Sequence, residues 1–240
     1  MCVSIIVAGN TAARPLLLAR SLSLLFAMRL PTTTTFASLG LPLILGSGSA
    51  TRKLILGELG LSFEVIKPNI DEKAIRFEEP SELVMALGKA KATALQSGEH
   101  GESLRDRGAI LLTGDQVVVC NGSILEKPET AEEARDFIAS YGLHAPSTVG
   151  SCVVTDAASG QQWSAVDVAT VHFRPIPSDV IDDLIEEGTV FQCAGGLMVE
   201  HPKVQPFIER MDGPMDSIMG LCKATVSQLL DEAIAARQQS

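Results

Sequence analysis

Apolar positions recur along this chain with two periods, one suited to strands and one to helices. Leu43-Ile-Leu45 is a short unbroken apolar run that enters Gly46-Ser-Gly-Ser49, and it reads as a buried strand followed by a loop. The loop opens a helix from about Ala50 to Glu58, with Gly57 and Gly60 near its end. Phe63–Ile66 has β character, and Lys67-Pro68-Asn69 breaks it. Pro80-Ser81 starts a helix, with Ser81 as the expected N-cap. Along that helix Leu83, Leu87, Lys91 and Leu95 recur by fours and share one face. A lysine on the inward row costs desolvation unless it meets an anion; the competing reading is that its stem is covered while its ammonium reaches water.

Gly98–Gly108 reads as a polar loop, and Ala109–Cys120 as a long apolar run interrupted by Gly114-Asp115-Gln116. Asn121-Gly122 is a strong type I′ hairpin signal. Counting back from that turn pairs Gln116 with Lys127 and brings Asp115 near Lys127, although a bulge at Gly114 would exchange the faces. Thr130-Ala-Glu-Glu133 is a capping-box pattern before a helix carrying Ala134, Phe137, Ile138 and Tyr141 on one face. Ser147–Thr155 and Gln161–Arg174 read as strands, and Ser178–Glu187 as an acidic helix stopped by Gly188. Val190–Glu200 is expected to be β-like with a break at Gly195-Gly196, and Lys203–Glu209 to be an edge segment. Asp216 or Ser217 is expected to cap a final helix running to about Ala236. Strands alternate with helices, but the hairpins require antiparallel pairs. The expected class is therefore α/β, a mixed β-sheet flanked by helices.

Composition narrows the choice of partner. The chain has 240 residues, 46% apolar and 20% charged, with a formal net charge of −10. This suits a globular domain with a real core and argues against a general binder of nucleic acid or anionic membrane, which needs a broad basic face. The five cysteines form no C-x-x-C pair and the four histidines lack metal-ligand spacing, so the cysteines read as small buried hydrophobes. Residues 1–40 stand apart as a leader ahead of a 41–240 domain. They carry Arg14, Arg20 and Arg29 and no acid, the first acidic residue being Glu58. That is the composition of a transit peptide to a mitochondrion or plastid. The alternative is a true start at Met28 and a cytoplasmic protein.

The candidate chemistry concentrates in a few places. Helix-start N–H groups, the hydroxyls of Ser47 and Ser49, and the cations Arg52 and Lys53 together make a socket for an anion, most often phosphate. The loop lacks the P-loop spacing, and Thr51 stands where the third glycine of a dinucleotide fingerprint would fall. Asp115 interrupts an apolar strand, so it either pairs with a cation, Lys127 being the expected neighbour, or does acid–base work. Asp71 and Glu72 offer hard oxygen ligands near the socket, which suits a divalent cation such as Mg²⁺ or Mn²⁺.

With these residues the chain resembles the Maf-like nucleotide pyrophosphatases, also called septum-formation inhibitor family proteins, from about Leu43 to about Leu230. The carrying motifs, in order, are Leu43-Ile-Leu-Gly-Ser-Gly-Ser-Ala-Thr-Arg52-Lys53, Asp71-Glu72, Lys91 in Lys-Ala-Lys-Ala, Gly114-Asp115-Gln116-Val117, Glu126-Lys127-Pro128 and Cys193-Ala-Gly-Gly196. The resemblance implies a fold like that of the inosine-triphosphate pyrophosphatases. It also implies metal-dependent hydrolysis of a nucleoside triphosphate to the monophosphate and pyrophosphate. Asp115 takes the place of the family's proton acceptor and Asp71 its second acidic position. Ser47, Arg52, Lys91 and Lys127 take the places of its phosphate-binding groups. Metal ligation is expected of Asp71, Glu72 and Asp115. Gln116 and Glu200 match the branch resembling the 7-methyl-GTP pyrophosphatases. The departures are Thr51, where that branch carries a large aromatic residue, with Ala50, Lys53 and Gly46. A dTTP/UTP pyrophosphatase and a nucleotide-binding regulator of cell division with little turnover are the alternatives. The expected partner is a nucleoside triphosphate, with neither nucleic acid nor membrane, and a second copy in a homodimer is compatible with this.

Overall fold

The structure is a computed structural model and describes residues 39–239. Most of the leader and its targeting reading lie outside the described residues. The strands are β1 (Leu43–Leu45), β2 (Glu64–Val65), β3 (Ile110–Thr113), β4 (Gln116–Cys120), β5 (Ser123–Leu125), β6 (Ser147–Asp156), β7 (Gln162–Phe173) and β8 (Ile208–Asp212). The helices are α1 (Ala50–Glu58), α2 (Pro80–Ser97), α3 (Gly101–Asp106), α4 (Ala131–Ser140), α5 (Ser178–Glu187), α6 (Met215–Ile218) and α7 (Lys223–Arg237). They surround one eight-stranded mixed sheet, the expected α/β class.

Three strands, β2, β1 and β3, run parallel side by side, and β6 receives β3 and β4 antiparallel along one edge and β7 along the other. Alternation along the strands serves two cores. Leu43 and Leu45 join Ile110 and Leu112 under α1 and α7, while Ile44 and Leu111 point to Leu95 of α2 and Leu104 of α3. That period of two is what buries a short apolar strand on both faces.

β3 and β4 pair with β6 in one unbroken register, Thr113 opposite Val153 and Gln116 opposite Gly150. Equal numbers of residues advance on both strands, so Gly114-Asp115 is a kink without an inserted residue. Gly114 is required there because a Cβ would stand 2.1 Å from the Ser151 carbonyl oxygen.

Several sequence expectations need correction. α2 is capped by Glu79 with Pro80 in its first turn, so Ser81 lies inside it. The polar Gly98–Gly108 segment contains α3, anchored by the buried Leu104. The Asn121-Gly122 hairpin forms, but pairing ends at Val118 with Leu125; the next residue turns away, its Glu126 carbonyl accepting from Gly195 N–H at 2.9 Å. Val190–Glu200 is no strand. It makes two 3₁₀ turns, with Gly195 and Gly196 at φ of 69° and 68°, a conformation closed to β pairing. Lys203–Glu209 folds as a 3₁₀ turn, Gln205–Phe207, that leads into the edge strand β8. The final helix is two, α6 and α7, parted at Gly220 (φ 110°). The N-cap of the longer one is Cys222 rather than Asp216 or Ser217, which lie inside α6, although Asp216 Oδ2 still accepts from the Lys223 N–H of its first turn at 2.8 Å.

The last turn of α7 is stapled to the sheet. Arg237 Nε donates to Asp156 Oδ2 at 2.7 Å, Nη2 to Oδ1 at 2.5 Å and Nη1 to the Gly108 carbonyl at 2.8 Å. The Arg237 bonds, helped by the N–H groups of Ala158 and Ser159, hold the Asp156 carboxyl below its ordinary pKa. A depressed folded-state pKa adds stability above the unfolded value of about 3.9, which is lost as pH falls through the folded value. Arg237→Met is expected to destabilise the fold by about 2–4 kcal/mol at pH 7, because it leaves a buried carboxylate unpaired. The deficit should shrink by pH 3, as measured by denaturant midpoints at both pH values.

Candidate active site

All three parallel strands end at the same place, and the candidate residues follow those ends: Gly46–Ser49 after β1, the Ile66–Glu72 segment after β2, and Gly114-Asp115 after β3. Ligands of open α/β sheets bind in this position, beyond the carboxyl ends of the strands.

The loop after β1 is organised by its own serines. Ser49 is the N-cap of α1 and accepts from Arg52 N–H at 3.3 Å, and Ser47 Oγ accepts from Ser49 N–H at 3.2 Å. The N–H groups of Ala50 and Thr51 precede the first intrahelical bonds and donate to no partner among the described residues, which leaves donors at the positive end of the helix. Gly46 is held close, since a Cβ there would meet Thr113 Cγ2 at 2.5 Å. Thr51 and Lys53 are half-buried on the first turn.

Arg52 is only 7% exposed. Its Nη1 donates to the Gly114 carbonyl at 2.8 Å and to Ser47 Oγ at 3.4 Å, and its Nε donates to the Gly220 carbonyl at 3.0 Å. Burial pushes its pKa below the ordinary guanidinium value, while Asp115, Cys152 and Glu72 pull it back. An arginine remains charged through such a shift. One guanidinium therefore joins the loop after β1, the kink after β3 and the joint between α6 and α7.

Lys91 is 7% exposed and stands on the inward row of α2 as its spacing requires. It meets anions there: Glu72 Oε1 lies 2.8 Å and Asp115 Oδ1 3.5 Å from its Nζ. Asp115 is half-buried, and its backbone is gripped on both sides by Ser151. Asp115 N–H donates to Ser151 Oγ at 3.0 Å, and Ser151 N–H donates to the Asp115 carbonyl at 2.8 Å. Ser151 Oγ in turn donates to the Val84 carbonyl at 2.6 Å. The Asp115 Oδ1 atom also accepts from Gln116 N–H at 2.9 Å.

Other expected residues stand elsewhere. The Asp71 carboxylate caps the 3₁₀ turn Glu72–Ala74, accepting from Lys73 N–H at 3.1 Å, so Glu72 rather than Asp71 reaches the Lys91 cluster. Asp71, Glu72 and Asp115 are not assembled as a three-carboxylate metal set, and no group of three metal-ligating side chains occurs among the described residues. The Asp115 ion pair is with Lys91 rather than the expected Lys127. Lys127 is exposed and Glu200 half-buried, and both are near enough to the Cys193 thiol to act on it electrostatically. Burial and the Glu200 carboxylate push Cys193 up to about 11, and Lys127 pulls it down. Gln116 donates from Nε2 to the Ile218 carbonyl at 2.9 Å, and a Cβ at Gly220 would lie 2.2 Å from its Oε1.

Ser151 and Gly220 escaped the sequence reading. A serine just ahead of the apolar stretch Cys152-Val-Val and a glycine inside an apparent helix were the available signals.

With this geometry in hand, the chain can be set beside known proteins. The family model for Maf-like proteins matches residues 42–233. A 7-methyl-GTP pyrophosphatase of Dictyostelium discoideum is 40% identical over 192 residues, covering 80% of this chain and 96% of its own length. A 7-methyl-GTP pyrophosphatase of Idiomarina loihiensis is 34% identical over 181 residues, covering 75% and 89%. A dTTP/UTP pyrophosphatase of Vibrio parahaemolyticus is 30% identical over 194 residues, covering 80% and 97%.

Proposed function

The chain belongs to the Maf-like protein family, and on that premise we propose that it is a nucleoside triphosphate pyrophosphatase acting on a 7-methyl-GTP-like nucleotide. The observation that carries this reading is the Glu72–Lys91–Asp115 cluster beside the α1 socket at the carboxyl ends of the parallel strands. Two relatives named for 7-methyl-GTP, at 40% and 34% identity, stand above the 30% of relatives named for dTTP and UTP, which supports the choice of base.

The chemistry follows from the residues. A carboxylate at Asp115, held by Ser151 and facing the cleft, takes a proton from water. The water oxygen bonds to the α-phosphorus, the bond from that phosphorus to its bridging oxygen breaks, and pyrophosphate leaves with the monophosphate as second product. Donors of the α1 start, the serine hydroxyls and the Arg52 guanidinium hold phosphate oxygens. Lys91 offsets charge building on them.

Charge balance supports a divalent cation. Arg52 and Lys91 are matched one for one by Glu72 and Asp115, so these four groups together offer a polyphosphate no surplus positive charge, and half-buried Lys53 adds one cation to the socket. Mg²⁺ is commonly held by one or two carboxylates plus substrate phosphates, and Glu72 and Asp115 fit that donor set. Such an ion supplies charge neutralisation on the phosphates when bound.

For the base, ionised Glu200 offers only acceptors, and the N1–H and N2–H₂ edge of guanine offers donors. An unmade bond in a partly desolvated pocket costs roughly 1–3 kcal/mol, so kcat/KM for 7-methyl-GTP is expected to exceed that for dTTP and UTP by about tenfold or more. A panel of 7-methyl-GTP, GTP, dTTP and UTP, with pyrophosphate as the assayed product and a chelated control, tests this. Preference for dTTP or UTP would promote the pyrimidine reading, and tight binding without turnover the regulatory one. Unchanged preference in Glu200→Gln would leave the substrate standing but remove Glu200 as its cause.

A further inference from the structure

We infer that Lys67 is a substrate-contacting residue that completes the cationic lining over the polyphosphate, a deepening that rests on the proposed pyrophosphatase reading. β2 pairs with β1 in parallel register, Leu45 opposite Val65, and the pairing continues one step past the strand ends, with Ile66 N–H donating to the Leu45 carbonyl at 3.2 Å. This delivers residue 67 beside the loop that follows β1. The lysine stem then lies across Gly48: a Cβ there would be 3.1 Å from Lys67 Cε, 3.5 Å from Cδ and 3.7 Å from Nζ. The absent side chain of Gly48 is the space the stem uses.

The ammonium so placed is uncommitted. Lys67 is exposed and makes no hydrogen bond or ion pair among the described residues. Arg52 and Lys91 are both buried and both engaged with protein acceptors. A triphosphate brings several negative charges to a cluster whose own charges cancel, so a mobile cation beside the Ser47–Ser49 loop is where net attraction is still available. A lysine serves this role as a flexible point charge, able to follow phosphates as they shift from substrate to leaving group. Its place over the loop, on the side away from Asp115 in the kink after β3, assigns it to the phosphates that leave rather than to the attacked one.

The test uses inorganic tripolyphosphate and the full chain, with binding read by titration calorimetry separately from turnover. Lys67→Met keeps the stem on Gly48 and removes the charge. It is expected to weaken tripolyphosphate binding by about tenfold and to raise KM for the nucleotide by a similar factor, the scale of a lost charge-assisted hydrogen bond. Binding of the nucleoside monophosphate should change less than about twofold, a split that general loss of structure would not produce. Lys67→Arg should restore tripolyphosphate binding to within about threefold of the native chain. Tripolyphosphate affinity unchanged in Lys67→Met would overturn the inference while leaving the pyrophosphatase reading intact. A native chain that binds tripolyphosphate through Lys67 yet turns over no nucleotide would uphold the contact and reject the enzyme.

Discussion

Asp115→Asn is expected to lower kcat by about 10²–10⁴, the usual contribution of a general base, with little loss of folding. The fold should tolerate the change because the contacts that place residue 115 are made by its backbone. Ser151 holds both its N–H and its carbonyl, and an asparagine oxygen can still accept from Gln116 N–H. Lys91 keeps its shorter partner, Glu72, at 2.8 Å. What asparagine lacks is a proton-accepting carboxylate oxygen. The kinetic loss should therefore fall on kcat, with KM changed much less, and thermal melting should move only slightly. Turnover near the native rate in this variant would return Asp115 to the status of an ion-pair partner of Lys91.

How much of this could be read beforehand depends on the range of the cause. Lys91 was legible because four-residue spacing with three leucines fixes its face, and burial then demands an anion. The anion was half legible. Asp71 and Glu72 are adjacent in sequence, and only the 3₁₀ turn decides that Asp71 spends its carboxylate on a cap while Glu72 reaches Lys91. Asp115 stood out as a charge within an apolar strand. Its neighbour was misjudged, because the hairpin count cannot see that Gly195 N–H draws Glu126 off the ladder. The split between α6 and α7 likewise has a long-range cause. Gln116 and Arg52 bind the Ile218 and Gly220 carbonyls, and a continuous helix would have consumed or displaced those acceptors. Local periodicity reports faces and caps, and it is silent on which distant donor will claim a carbonyl. The expected role of Gln116 in base choice now has to accommodate that bond. Its amide donor is engaged by protein, while its Oε1 packs at Gly220.

Lys91→Met is expected to cost about 10²–10³ in kcat/KM, comparable to losing one preorganised electrostatic donor. Methionine keeps most of the stem volume on the inward face of α2, so the packing against Leu87 and Leu95 survives, and the loss is of charge. Two carboxylates that shared one ammonium then face each other without it, and phosphate oxygens arriving at the cleft meet net negative charge. Arginine should rescue poorly. The ammonium site is buried, and a planar guanidinium is larger and forked where a compact point charge was held between two acceptors. The same substitution separates two roles of the lysine. If it chiefly holds Glu72 and Asp115 apart, removing it frees both oxygens and Mn²⁺ should bind more tightly to the variant than to the native chain. If it chiefly contacts phosphate, Mn²⁺ affinity should stay level while tripolyphosphate binding weakens. The Nζ distance of 2.8 Å to Glu72, with Asp115 at 3.5 Å, favours the first outcome in the free protein. Steady-state kinetics with direct Mn²⁺ titration of both chains checks it. A kcat/KM within threefold of the native value would remove Lys91 from the machinery and leave it as a structural counter-ion.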